Sequence, residues 1–397
     1  MTLLIDIGDV PAHHCDACLD DLAKAMSEDP HGQPESIWAP IENPLIREHV
    51  EDFTRRMQAI LAAIQNALAV ALTGGPMIDL QKADPPWLRW DEGAFEDART
   101  RLESKPTTDY GLADWLLLVD YLIQRYLGDA VIQTEAEYLV VRAAIAGKIQ
   151  AAMHAQKNRP HAEEAAAAAV MLVPTTFRAV PPKVLTRVER EILLCAQTQA
   201  ATNIRNVTEQ ARAKMRTIIT EHVQAQVLGQ AEGTVERMRS RLFDSFGQLN
   251  RDFRRIAVTE AGDACNTGYV AAQAPGTKIR RKEAYRGACP FCRSIDGKVM
   301  TVVSPSKARK DGETEVWVGK SNVGRSASPR QREGNRLVER PDDKRWWIAA
   351  GVMHPHCRGS WLPVGAASVP GVAPEFVTWM DALIAKARYG GAPPPAS

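Results

Sequence analysis

Four residues in the C-terminal half of the chain have the types and the spacing of a metal site. Cys289 and Cys292 form a C-x-x-C pair, and His354 and Cys357 form an H-x-x-C pair further along the chain. Three thiolates and one imidazole are a donor set that tetrahedral Zn²⁺ prefers, and ligands three residues apart reach one ion from a tight turn. The pattern predicts zinc bound by these four residues, with His356 as a second-choice ligand.

A zinc ion in this set would have a structural role. With all four positions taken by protein atoms, no coordination position is left for water or a substrate. The ion would tie two remote segments of the chain into one domain. Two other interpretations remain open: two solvent-facing turns that happen to contain cysteines, or a reversible disulfide between Cys289 and Cys292.

A second C-x-x-C pair, Cys15 and Cys18, lies near the start of the chain beside His13 and His14. Adjacent side chains do not easily point at one ion, and no second pair of ligands follows nearby. The pattern favours a local turn or a helix start. Metal binding by His13, Cys15 and Cys18 stays an alternative.

The composition is typical of a soluble globular protein. The chain has 397 residues, of which 45% are hydrophobic and 24% are charged, which allows two or three domains that each bury a core. Seven cysteines without a recognisable secretory leader favour a reducing compartment. The longest apolar run, residues 165–173, is too short to span a bilayer, so we expect no membrane association.

The net charge of +1 conceals an asymmetry along the chain. Residues 1–110 contain 9 Lys and Arg against 20 Asp and Glu, whereas residues 276–345 contain 18 against 9. A polyanion is the natural partner of the basic segment, although a solvated loop that only maintains solubility is the alternative. We expect nonspecific contact with double-stranded DNA through Arg280, Arg281, Lys282, Lys307, Arg309, Lys310, Arg325, Arg330 and Arg332.

Apolar residues at spacings of three and four predict that most of the chain is helical. The predicted helices are residues 44–72, residues 112–127, a stretch from a Thr134–Glu137 capping box to Lys157, an Ala-rich stretch after Pro160, about 45 residues up to Gly229, residues 235–253, a separate helix from about Arg254, and residues 376–389. In the C-terminal part, Asp296-Gly297 predicts a hairpin turn between two short strands. Residues 301–303 and 315–318 are strand candidates, and the Gly-, Ser-, Arg- and Lys-rich segment 307–345 predicts an extended loop or arm.

The order of motifs over residues 184–365 resembles that of the phage Mu F-like head morphogenesis family, the minor head proteins of tailed phages. The residues that carry the resemblance are Thr259, Glu260, Asn266, Cys289, Cys292, Asp296, Gly297, His354, Pro355, Cys357 and Arg358. Two positions depart from the family pattern: Val258 stands where arginine is frequent, and Gly359 where a second cysteine is frequent. The resemblance does not extend to residues 1–180.

The resemblance implies a minor capsid protein that acts in procapsid assembly at the portal. Its partners would be the portal protein, the major capsid protein or both, and some members of the family are associated with DNA. Its location would be the virion, in the capsid interior or at the portal vertex, and the host cytoplasm during assembly. Cys289, Cys292, His354 and Cys357 occupy the family's metal-ligand positions.

The predicted fold is a mainly α N-terminal and central region with long helices, plus a small α+β C-terminal domain stapled by a Cys/His zinc site. The predicted domains are a helical region of unassigned role (1–180), long amphipathic helices for portal or capsid docking (181–253), a Mu F-like zinc domain with its basic insertion 307–345 (254–365), and a short helix with a Pro-rich tail (366–397). We expect no enzymatic activity. The alternative is a metal-dependent nuclease or hydrolase, which needs an open coordination position and a general base such as Glu260, Asp296 or His356.

Overall fold

A computed structural model of the chain describes residues 38–74, 92–155, 162–283, 285, 287–365 and 371–389. This part of the chain is mainly helical, with a small sheet region near its C-terminal end, which confirms the predicted fold class. None of its helices combines the length and the apolar content that a membrane span needs. The Cys15–Cys18 segment and its histidines lie outside the described residues.

The helices of the described residues follow the apolar periodicity of the sequence. They are α1 Pro44–Leu72, α2 Glu92–Glu103, α3 Leu112–Leu127, α4 Asp129–Ala155, α5 Ala162–Met171, α6 Arg187–Val227, α7 Val235–Ala271, α8 Pro290–Ile295 and α9 Pro374–Tyr389. The predicted bounds of α1 and α3 are confirmed at both ends. The long central helix and the C-terminal helix are confirmed as α6 and α9.

The pattern Thr-x-x-Glu occurs at Thr134 and at Thr186, and only the second is a helix cap. The capping box predicted at Thr134 is wrong, because its Oγ1 donates to the Ala130 carbonyl at 2.8 Å inside α4. A capping box opens α6 instead, where Thr186 Oγ1 accepts from the Glu189 amide at 3.2 Å. The Glu189 carboxylate in return accepts from the Thr186 amide at 2.7 Å.

The helix boundary predicted near residue 253 is also wrong, since α7 continues without a break to Ala271. Buried Ile256, Ala257, Ala261 and Ala264 continue the spacing of three and four, and no proline interrupts it. Thr259, Glu260 and Asn266 therefore lie on one long helix.

The chain divides into two compact units. Unit 1 comprises Met1–Asp52, Glu137–Ala200 and Arg254–Ser397, and unit 2 comprises Phe53–Ala136 and Ala201–Phe253. The described residues of unit 2 form helices, held in part by stacking of Phe95 on Tyr121 with ring centroids 4.5 Å apart. The sheet and the candidate site belong to unit 1. The four-part division made from the sequence stays a prediction.

The strands of the described residues are β1 Lys278–Lys282, β2 Val299–Val302, β3 Glu315–Val316, β4 Arg330–Glu333, β5 Arg336–Glu339 and β6 Ser360–Pro363. Four of them form a sheet in the order β3-β2-β1-β6, in which β1 pairs antiparallel with β2 and β6, and β2 pairs parallel with β3. Apart from Arg281, the inward face of this sheet is apolar and includes buried Ile279, Met300 and Trp361.

Two elements near the sheet differ from the sequence prediction. The predicted hairpin at Asp296-Gly297 is a helix-to-strand turn, because α8 occupies the place of its first strand. Gly297 does have the positive φ (+76°) that the turn requires. The predicted loop 307–345 contains β3 and the antiparallel hairpin β4–β5, which turns at Gly334 (φ +58°). Its polar strands lack an alternating apolar face, so periodicity does not reveal them.

Helices α4 and α7 touch backbone to backbone where they cross in unit 1. A Cβ on Gly147 would lie 1.8 Å from the Cys265 carbonyl oxygen, and one on Gly268 would lie 2.1 Å from the Ala144 carbonyl oxygen. Only glycine leaves room for this approach at both positions. The crossing therefore holds the second half of α7 directly against α4.

We predict that Gly268→Ala lowers the free energy of unfolding by about 2–3 kcal/mol, because the added methyl group forces the two backbones apart. Gly247→Ala in the same helix is the matched control, since nothing lies within 4 Å of its Cβ position. The control should gain about 0.5–1 kcal/mol from helix propensity. Urea unfolding followed by circular dichroism measures both, and equal stability of the two variants would contradict the crossing.

Candidate metal centre

The first half of the candidate site is the turn that starts α8. Cys289 is the N-cap of this helix and Pro290 follows at the first helical position. The Cys289 sulfur accepts a hydrogen bond from the Cys292 amide at 3.4 Å. Both sulfurs therefore point to the same side of one tight turn, which the C-x-x-C spacing requires.

The second half is the turn that precedes β6. The Cys357 amide donates to the His354 carbonyl at 3.1 Å, and His356 between them has a positive φ of 64°. The amide of His356 donates to Thr259 Oγ1 on α7 at 2.8 Å. Thr259 therefore supports the turn that carries His354 and Cys357.

The structure brings the two halves together. His354 Nε2 lies 3.3 Å from Cys289 Sγ and 3.3 Å from Cys292 Sγ, and these three donor atoms all lie within 4.8 Å of one another. Cys357 Sγ lies 4.0 Å from Cys292 Sγ. Donors around a tetrahedral zinc ion stand about 3.5–3.8 Å apart, given Zn–S and Zn–N bonds of about 2.3 and 2.0–2.1 Å. The Cys/His cluster of Cys289, Cys292, His354 and Cys357 could hold a metal ion.

His354 presents the correct nitrogen to the sulfurs of Cys289 and Cys292. Its Nδ1 lies 2.8 Å from the Pro355 carbonyl oxygen, which accepts only, so Nδ1 carries the proton of this hydrogen bond. Metal-ligating histidines are oriented in this way by a hydrogen bond from the second ring nitrogen. The ring of Trp346 stacks on the imidazole with centroids 5.5 Å apart and an interplanar angle of 15°, and keeps its plane in place.

The contacts within the cluster favour negative charge on two of the sulfurs, those of Cys289 and Cys357. A hydrogen bond from the Cys292 thiol, together with His354, lowers the pKa of Cys289 to about 4, and the pKa of Cys292 is raised in turn. Burial opposes the charge on Cys357, yet Cys292, His354 and Arg281 lower its pKa. Burial also opposes the charge on His354, but the neighbouring sulfurs raise its pKa to about 9. A bound metal ion would replace the protons of Cys292 and of His354 Nε2.

His356, the second-choice ligand, does not join the other donors. Among the described residues, close-lying ligand atoms form two groups, Cys289 with Cys292 and His354, and Glu283 with Cys292 and Cys357. His356 belongs to neither group. Its Nδ1 is buried and has no hydrogen-bond partner within the described part of the chain. Burial and the charge of Arg358 lower its pKa to about 3, so the ring is neutral.

A buried ion pair beside the cluster was not predicted from the sequence. Arg281 and Glu283 have fully buried side chains, with Arg281 Nε 2.6 Å from Glu283 Oε1. The same guanidinium donates to the Gly351 carbonyl at 3.1 Å and lies 3.8 Å from Cys357 Sγ. Glu283 lies 3.7 Å from that sulfur, and burial raises its pKa to about 7. The sequence did contain a signal for this pair. Side chains alternate between the two faces of β1, and this alternation places Arg281 on the same buried face as Ile279.

The turn before β6 is also anchored to α7 by two polar side chains. Asn266 Nδ2 donates to the Gly359 carbonyl at 2.8 Å, and Asp263 accepts from the Val352 amide at 3.0 Å. Glycine is needed at position 359, because a Cβ there would lie 2.1 Å from Glu283 Oε1. Asn266 therefore holds the polypeptide on the far side of Cys357.

The residues predicted to contact DNA fall into different environments. The prediction for Arg281 is wrong, because its fully buried guanidinium is paired with Glu283 and cannot reach a polyanion. Arg280 and Lys282 are exposed on the opposite face of the same strand, and Arg330 and Arg332 are exposed on β4. Lys307, Arg309, Lys310 and Arg325 lie in the segments on either side of β3. DNA binding by these residues stays a prediction.

Comparison of the chain with protein-family models, with curated proteins and with solved structures finds no match in any of the three.

We predict that Arg281→Met lowers the free energy of unfolding by about 3–5 kcal/mol, because Glu283 is left buried without its partner. The double variant Arg281→Met/Glu283→Leu should recover much of this loss, since it removes both charges. Urea unfolding of the two single variants and the double variant gives the coupling energy. Additive effects of the two substitutions would contradict the ion pair.

Proposed function

We propose that this chain is a minor capsid protein of a tailed phage, which acts in procapsid assembly at the portal. The observation that carries the proposal is the Cys/His cluster, closed by two remote segments in the order of the phage Mu F-like head morphogenesis family. Thr259 and Asn266, which belong to the same motif order, support the turn that supplies His354 and Cys357. Such an arrangement favours a role in building a particle over turnover of a substrate.

The metal ion that we assign to the cluster is a structural Zn²⁺. Three thiolates with one imidazole suit zinc, and a set of four protein ligands leaves no position for water. The ion would take the place of the contacts of Cys292 with His354 and Cys357, and would fasten α8 to the turn before β6. The alternative of a metal-dependent nuclease or hydrolase requires an open position, which this donor set does not favour.

Elemental analysis tests the metal assignment. We expect one zinc per chain in the purified protein and loss of that zinc in Cys289→Ser, together with a lower melting temperature, because the binding energy of a structural ion contributes to folding. Cys195→Ser is the matched control, since Cys195 is exposed and lies outside the cluster. Equal zinc content in wild type and Cys289→Ser would contradict the assignment.

The assembly role predicts a location in the virion, in the capsid interior or at the portal vertex, after passage through the host cytoplasm. Its partners would be the portal protein, the major capsid protein or both, with packaged DNA as a further contact and no membrane. Co-expression with the portal and major capsid proteins of the same genome, followed by sedimentation, tests this role. We expect the chain to sediment with assembled particles, and its absence from them would contradict the proposal.

The nuclease alternative has its own measurement. Purified protein is incubated with linear and circular DNA in the presence of Mg²⁺ or Zn²⁺. We expect intact DNA under both conditions. Cleavage that disappears in Cys289→Ser and persists in Cys195→Ser would replace the structural assignment by a catalytic one.

A further inference from the structure

Four of the five residues of strand β1 are basic, and they differ in exposure between the two faces of the strand. Along Lys278–Lys282 the side chains alternate between exposed and buried. The inward guanidinium of Arg281 is neutralised by Glu283. The outward side chains of Lys278, Arg280 and Lys282 are exposed, and none of them has an ion pair or hydrogen bond with any residue that the structure describes. We call these three residues the β1 basic row.

The neighbours of the β1 basic row leave its charge uncompensated. The outward residues opposite Arg280 are Val299 on β2 and Leu362 on β6, both apolar. Ser360 lies opposite Lys282 and Thr301 opposite Lys278. Two acids stand at the margins: Glu315 on β3 is paired with Lys307, and Asp296 accepts a hydrogen bond from the Glu283 amide at 2.6 Å.

In the basic insertion 307–345, by contrast, many of the cationic side chains contact aromatic rings, carbonyl groups or acidic residues. Lys310 lies over the ring of Trp317 and Arg325 over that of Trp347, at 5.4 and 3.5 Å from the ring centroids. Lys320 is buried and donates to the carbonyls of Gly312 and Glu315. In the hairpin, Arg330 stands opposite Glu339 and Arg336 opposite Glu333. Cations already engaged with acids, rings and carbonyls have less to gain from a phosphate.

The spacing of the β1 basic row suits the backbone of a nucleic acid. Residues two apart on an antiparallel strand are separated by about 6.8 Å. One strand of duplex DNA carries one phosphate per about 3.4 Å of helix axis, so a row of three cations at this spacing lies close to several phosphates at once. Because this match involves phosphates only, the contact carries no base sequence information.

We propose that the open face of the four-stranded sheet is a nonspecific binding surface for duplex DNA, with Lys278, Arg280 and Lys282 as its phosphate-contacting residues. The proposal rests on the DNA contact within the proposed function and moves that contact from the insertion to the sheet. It is independent of portal and capsid assembly. A membrane surface fits less well, because the face offers small apolar side chains beside the row and no exposed aromatic anchor among the described strand residues.

Fluorescence anisotropy with the full-length protein and a labelled duplex of random sequence tests the proposal. We expect binding at low salt that weakens linearly in a plot of log K against log salt concentration. The triple variant Lys278→Gln/Arg280→Gln/Lys282→Gln should weaken binding at low salt and make the slope shallower by about 2.7, because three phosphate contacts are lost. Unchanged zinc content and melting temperature show that this variant is folded.

The matched control is Lys307→Gln/Arg309→Gln/Lys310→Gln, which removes the same charge from the insertion. We expect its slope to stay that of the wild type. A loss confined to the control would overturn the sheet as the binding surface. Absence of duplex binding by the wild type at low salt would overturn the DNA contact altogether, and the sedimentation experiment would still decide the assembly role. Binding only to vesicles that contain phosphatidylserine, lost in the sheet variant, would reassign the surface to membranes.

Discussion

The contacts of Cys292 Sγ join two segments of the C-terminal part of unit 1 that are far apart in sequence. This sulfur lies 3.3 Å from His354 Nε2 and 4.0 Å from Cys357 Sγ, although both partners come from a turn more than sixty residues later in the chain. Closing the segment from β2 to β6 costs conformational entropy, and these contacts add to the pairing of both strands with β1. An ion that binds all four donors would close that segment in the folded state alone and so add its binding energy to folding.

Charge is balanced around this sulfur by residues that do not ligate. Three thiolates, a neutral imidazole and a dication sum to a single negative charge, and Arg281 lies against Cys357 on the core side of β1. Glu283 would restore a negative charge, yet burial raises its pKa to about 7 and Arg281 holds it in an ion pair. The ion pair therefore offsets charge beside the cluster. Its orientation depends on the Gly351 carbonyl, which accepts from Arg281, and on the space that Gly359 leaves for Glu283.

The sequence was sufficient for features that a short pattern determines. The periodicity of α1 and α3 gives their bounds, since their apolar faces are regular and their ends carry glycine or proline. The spacing of Cys289 and Cys292 likewise predicts that both sulfurs lie on one side of a tight turn, because that geometry is local. Features that depend on the surrounding chain were missed. Thr134 and Thr186 share the Thr-x-x-Glu pattern, and only the residues around each of them separate a helix interior from a cap. The ion pair of Arg281 with Glu283 and the polar hairpin β4–β5 were missed for the same reason.

The hairpin β4–β5 is attached to the rest of unit 1 at a narrow base. Ser326 accepts from the Trp346 amide at 3.1 Å and donates to the Lys344 carbonyl at 3.0 Å, so the chain enters and leaves the hairpin side by side. Beyond this base, the turn at Gly334 has open space around its Cβ position. Residues added at this turn would extend into solvent without disturbing the sheet. The tip is therefore a permissive position for an epitope tag or a fluorophore that reports on the protein inside a larger assembly.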